Sequence, residues 1–209
     1  MTAAAPLPLR ERKKAETWTA LHEAAASLAL RDGVDQTTVE AIASSAGVSP
    51  RTVFNYFPVK EDAIVGLREP VLDEEQLFRI STTADDLVGQ VSRLLMTVAW
   101  TAIGGTDRTR RRQLIARYPN LGRRHMDYMV KAERLVTDGI AGLLAHDPDW
   151  SVGAEGFGAE EAARMLVMIA GVPIRFNLSS ADYNPVEGIS EETLDPSLTL
   201  LHHLLRKLS

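Results

Sequence analysis

Arg51, Thr52, Asn55 and Tyr56 crowd into one short stretch and carry the hydrogen-bonding groups that read and grip a nucleic acid. A guanidinium offers paired donors to guanine, a carboxamide pairs with adenine, and a hydroxyl can meet either base edge or a phosphate. At about 100° per residue these four side chains fall on one side of a helix, and Pro50, Val53, Phe54 and Phe57 on the other. The apolar set would dock the helix against a core, leaving a rigid polar row held outward, as reading a major groove requires. An ordinary helical hairpin with a solvated polar face has the same alternation. The aromatic-rich end Phe54-Asn55-Tyr56-Phe57, followed by Pro58-Val59-Lys60-Glu61, weighs against that simpler account.

The elements that must position this row are legible beside it. Thr37 is placed to cap a helix, and Glu40 three residues on completes a capping box. Val39, Ile42, Ala43 and Ala46 give that helix an apolar face, and Gly47 permits a sharp turn. Ser49 caps the next helix with Pro50 at its first position, where a missing N–H costs nothing. Base-edge candidates are therefore Arg51, Thr52 and Asn55, and phosphate candidates are Thr38, Ser49, Tyr56 and Lys60. Upstream, Ala15, Trp18, Leu21, Ala25 and Leu28 recur at spacings of three and four, predicting a packing helix that ends at Arg31-Asp32-Gly33-Val34. Arg10-Glu11-Arg12-Lys13-Lys14 opens it, either as a basic arm for phosphates or as a solvated run.

The segment TTVEAIASSAGVSPRTVFNYFPVKEDAI, residues 37–64, resembles the DNA-binding signature of the TetR family of transcriptional regulators. The resemblance covers roughly residues 15 to 65; beyond them only the helical layout is similar. It implies an all-α, homodimeric, cytoplasmic repressor, released from a palindromic operator in double-stranded DNA by a small molecule. It also implies operator contacts at the recognition-helix positions and a backbone grip by Tyr56 and Lys60.

Composition is compatible with this and excludes other classes. The 209 residues are 45% hydrophobic and 24% charged, as in a soluble globular protein. The net charge of −5 is unevenly spread: residues 1–60 hold seven Lys/Arg against six Asp/Glu, leaving −6 for the remainder. There are no cysteines, so disulfide and thiolate chemistry are excluded. No cleavable leader and no run of about 18 apolar residues is visible, so no membrane partner is expected. The expected organisation is a disordered leader at 1–9, a three-helix helix-turn-helix domain at 10–57, and a helical-bundle domain for effector binding and dimerisation at 58–209.

Within that bundle, residues 159–181 read as a helix apolar all round and hence buried all round. Leu198, Leu201, Leu204, Leu205 and Leu208 line one stripe of a last helix starting at Asp195-Pro196. The last two helices are expected to form a four-helix interface between two subunits. Candidates for an apolar effector pocket are Met96, Trp100, Tyr118, Met126, Tyr128, Met129, Met165, Met168 and Phe176, with Arg175 and Asn177 as polar anchors. Seven arginines between Arg108 and Arg124 either clamp a phosphate-bearing effector such as an acyl-coenzyme A or pair with acids such as Asp73, Glu74 and Glu75. The pairing is favoured. The five histidines lack partners at metal-ligand spacing, and no phosphate loop or nucleophile elbow occurs, so neither a cofactor nor an enzyme is expected. The rival to a regulator is a helical carrier of small molecules whose first three helices only pack.

Overall fold

The structure is a computed structural model that describes residues 8–103, 108–147, 150, 157–184 and 188–208. Among these the chain is all-α: α1 (Leu9–Asp32), α2 (Val39–Ser45), α3 (Pro50–Tyr56), α4 (Lys60–Val65), α5 (Glu74–Phe78), α6 (Leu87–Thr101), α7 (Arg108–Arg117), α8 (Pro119–Ala145), α9 (Ala159–Leu178) and α10 (Glu191–Leu208). An isolated bridge joins Leu67 to Ile103. No helix among the described residues is long and apolar enough to cross a membrane.

The chain divides into two compact units, Met1–Arg68 with Ile103–Met126, and Glu69–Ala102 with Asp127–Ser209. The first unit thus takes in α7 and the first turns of α8 in addition to the helices before residue 68. Residues 1–7 of the expected leader lie outside the described residues, whereas Leu9 already belongs to α1, behind Pro8 at its N-cap. Trp18, Leu21, Ala25 and Ala29 are buried along α1, and Ala15 is exposed. The Trp18 ring packs on Phe57 and on His22, each at 5.4 Å between centroids. Helix α4 stops at Gly66 in the left-handed region (φ 74°). A Cβ at Gly66 would lie 2.8 Å from the His22 ring, so glycine answers both to the backbone angle and to the packing.

The arginine-rich segment is pinned within this unit. Arg111 is buried and donates through Nε to the Val65 carbonyl at 2.7 Å. Arg124 meets Asp62 in a two-bond fork, Nε to Oδ1 at 2.6 Å and Nη2 to Oδ2 at 2.8 Å. Arg110 pairs with Glu23 at 2.7 Å. The pairing account therefore holds for Arg110 and Arg124 with different acids, Glu23 and Asp62 in place of Asp73, Glu74 and Glu75, while Arg111 donates to a backbone carbonyl.

The second unit is a bundle of α6, α8 and α9. Val91, Leu94 and Val98 meet Ala132, Val136, Ile140 and Leu144, and Ala163, Leu166, Val167 and Ala170. The regular spacing of four along α8 keeps its apolar residues on one stripe. Helix α10 joins through Leu194 and Leu198 with Ile189. Arg93 on α6 reaches both Asp86 and Asp195, tying the start of α10 to α6.

Helix α9, expected to be buried by an internal pocket on one face and a second subunit on another, leaves Met165, Met168, Val172 and Phe176 exposed in the single chain, at spacings of three and four. Its exposed face is apolar, which a sequence pattern cannot distinguish from a buried one. Helix α10 starts at Glu191, and Pro196 stands inside it. The Gly-, Asp- and Pro-rich segment 147–158, which reads in the sequence as a loop, and Thr106, which reads as a helix cap, fall largely outside the described residues.

Candidate nucleic-acid interface

Helix α2 is capped one residue later than the sequence suggests. Thr38 Oγ1 accepts from the Ala41 N–H at 3.1 Å, while Thr37 is buried and donates its hydroxyl to the Gly33 carbonyl at 2.9 Å. Two adjacent threonines each fit a cap, and burial of the first decides between them. Gly47 makes the turn at φ 68°. Ser49 Oγ then accepts from the Thr52 N–H at 3.2 Å and stands 2.9 Å from the Thr52 hydroxyl, capping α3 as expected. Pro50 occupies the first helical position.

Helix α3 is held by two residues. Val53 and Phe57 are 1% and 0% exposed, respectively, and Phe57 stacks against Trp18. Arg51 and Asn55 are exposed on the opposite side, and Thr52 and Tyr56 are half-buried on the flank. Asn55 and Tyr56 therefore do not enter the core. Phe54 departs from expectation: it is 57% exposed. Around the helix it stands about 100° from Val53, outside the arc closed by Val53 and Phe57. Pro50 is exposed as well, so the docking face is narrower than the sequence pattern implies.

Lys60 is also placed differently. Its Nζ donates to the carbonyls of Val34 and Thr37, both at 2.9 Å, and the side chain is half-buried. Two of its three ammonium protons are thus committed to the segment joining α1 to α2, and its role as a free phosphate ligand is revised accordingly. Lys60 braces the start of α2, and through it the cap residue Thr38. A one-dimensional pattern offered no sign of this contact. Exposed cations in the unit include Arg51 on α3, Arg10, Arg12, Lys13 and Lys14 at the start of α1, and Arg31, Arg68, Arg112, Arg117 and Arg123 elsewhere.

A buried and a half-buried histidine, His22 and His125, accompany the scaffold. His22 Nδ1 lies 2.8 Å from the Ala63 carbonyl, and its pKa is lowered, first by burial and further by the charge of Arg111. His125 is lowered by burial and by the same Arg111. Neither has a geometry that suggests proton transfer. Among the described residues no group of three His, Asp or Glu could hold a metal ion.

The effector candidates are divided between the two units. Tyr118 and Met126 belong to the first unit, and Met96, Trp100, Tyr128, Met129, Met165, Met168, Arg175, Phe176 and Asn177 to the second. Met126, Met165, Met168 and Phe176 are exposed, the last three with Val172 along the outer stripe of α9, which corrects their assignment to an internal pocket. Arg175 is exposed and donates to the Met168 carbonyl at 2.9 Å, and Asn177 donates to Ser197 Oγ at 2.8 Å. Tyr128 is buried beneath Lys131, while Met96, Trp100, Tyr118 and Met129 are half-buried. Met96 packs on the small cluster of Ile189, Leu194 and Leu198.

Residues 21–64 match the family model described as bacterial regulatory proteins, tetR family. Among curated protein sequences, none matches the chain. Three solved structures are similar over most of their length. NalD, the secondary repressor of the MexAB-OprM multidrug efflux pump of Pseudomonas aeruginosa, is 20% identical, with 90% of this chain and 96% of that one covered and a TM-score of 0.47. GusR of Salmonella enterica is 19% identical over 91% and 96%, with a TM-score of 0.44. The multidrug binding protein EbrR is 20% identical over 96% of each chain, with a TM-score of 0.33. These likenesses are too distant to carry a function across.

Proposed function

We propose that this chain, whose residues 21–64 match the family model of bacterial regulatory proteins, tetR family, is a DNA-binding transcriptional regulator that acts as a homodimeric, ligand-released repressor. The observation that carries the reading is α3 itself. Val53 and Phe57 are locked into the core, and Arg51 and Asn55 point outward from the same short helix. Rigid presentation matters because a base-edge hydrogen bond is lost over a fraction of an ångström. Arg51, Thr52 and Asn55 contact bases, and Thr38, Ser49 and Tyr56 face the phosphate backbone. Thr38 and Ser49 each accept one backbone N–H as caps, and the Thr38 hydroxyl proton is left to donate.

Dimerisation is supported by the apolar stripes left uncovered on the last two helices. Met165, Met168, Val172 and Phe176 on α9, and Leu200, Leu204 and Leu208 on α10, are each between 43% and 84% exposed. A contiguous surface of that kind is ordinarily covered by a partner. A second subunit would bring a second α3 to a half-site one turn away, about 34–36 Å along the duplex. Release by a hydrophobic small molecule then requires that the ligand bind one dimer state better than the other; couplings of about 1–3 kcal/mol are typical. Arg110, Arg111 and Arg124 are engaged inside the first unit, which weakens the case for a phosphate clamp and favours a ligand without phosphates.

The test is direct. Purified protein, incubated with a randomised duplex pool, should enrich a two-fold symmetric sequence, with binding that weakens as salt rises. A carrier protein would enrich nothing and show no salt-dependent affinity for any duplex.

A further inference from the structure

We infer that Phe54 is a specificity determinant that selects thymine in each half-site by covering its C5 methyl group. The inference rests on α3 being the base-contacting helix. A single exposed phenyl ring is ordinary on a protein surface, so exposure alone decides nothing. Its surroundings decide more. Phe54 is 57% exposed while its neighbour Val53 and the next-turn residue Phe57 are at 1% and 0%. It lies on the flank of α3 next to Arg51 and, like Arg51 and Asn55, is exposed, and the chain beyond it presents Pro58 and Val59 to solvent. The surface offered to DNA is therefore a polar pair with an apolar ring set into it.

Among the groups a major groove displays, the thymine methyl is the apolar one. A phenyl ring neither donates nor accepts a conventional hydrogen bond. Set against the exocyclic amine of cytosine or adenine, or the O6 and N7 of guanine, it would strip water from those groups and replace nothing. Set against a thymine methyl, it buries apolar surface on both sides. Selection thus combines an attraction to one base with a penalty against the other three, which is how specificity is sharpened.

The experiment uses the full chain and the tightest duplex recovered from a randomised pool. Each thymine of that duplex is replaced in turn by deoxyuridine, which removes the methyl and leaves the hydrogen-bonding edge intact. One thymine per half-site is expected to show a loss of roughly fourfold in affinity, the worth of one methyl withdrawn from water. Phe54→Ala should bind the parent duplex more weakly and should not distinguish thymine from deoxyuridine at that position. Phe54→Leu, still apolar, should keep part of the discrimination. Because Phe54 is exposed, the alanine variant should unfold at the same temperature as the parent. If the parent and Phe54→Ala respond alike to every deoxyuridine, or if the enriched half-site has no thymine, the inference fails while sequence-specific binding stands. If no duplex is enriched, the DNA-binding reading fails and this one with it.

Discussion

Arg51 and Lys60 separate two ways in which a charged side chain can serve a DNA-binding surface. Arg51 is exposed on α3, and Arg51→Ala should cost about 1–3 kcal/mol on the enriched operator and far less on scrambled duplex, read by fluorescence anisotropy on both DNAs. Lys60 spends two protons on the Val34 and Thr37 carbonyls. Lys60→Ala should therefore lower the unfolding free energy by roughly 1–3 kcal/mol and weaken all duplexes alike, through loss of the brace on α2. Urea titration beside the anisotropy measurement distinguishes the two roles. Burial also sets a pH dependence. His22 and His125 have folded pKa values below the ordinary histidine value of 6.5, so the unfolded chain binds protons more readily. Stability is complete above that value and declines as the pH falls below it toward the folded values. Urea midpoints at pH 7.5 and 5.5 should show the loss, and replacing either histidine with a neutral residue should flatten the slope.

At the scale of elements, sequence showed what repeats and missed what is fixed by a single distant contact. The capped pair α2–α3, the packing helix α1 and the stripe of α10 were all legible, because caps, a turn glycine and a period near 3.6 are local properties. The shift of the cap from Thr37 to Thr38, the outward turn of Phe54 and the commitment of Lys60 were not, since each depends on which surface meets which neighbour. The clearest instance is the fork between Arg124 and Asp62, two residues 62 positions apart in the sequence. Asp62 is buried, with its side chain fully inaccessible in that pair. Arg124→Ala should destabilise the protein by about 3 kcal/mol, against a negligible effect for Arg112→Ala at an exposed site of the same cluster. Thermal unfolding of the two variants in parallel is the check.

For the whole molecule, the stripes of α9 and α10 carry the strongest expectation. Met168→Glu with Leu204→Glu should yield a folded single subunit by sedimentation, because both residues are exposed and neither contributes to the buried core. Operator affinity should fall by orders of magnitude, since a lone subunit contacts one half-site and loses the gain of joined binding. The first unit has a different consequence. It is assembled from two separated stretches of chain, with Arg111 and Arg124 returning to meet Val65 and Asp62. On the ribosome, the head cannot be completed when residue 68 emerges; it must wait until residue 126 has left the exit tunnel, with α6 already made in between. For the same reason, a graft that transplants only the opening 68 residues onto another scaffold leaves behind the clasps that hold the head closed.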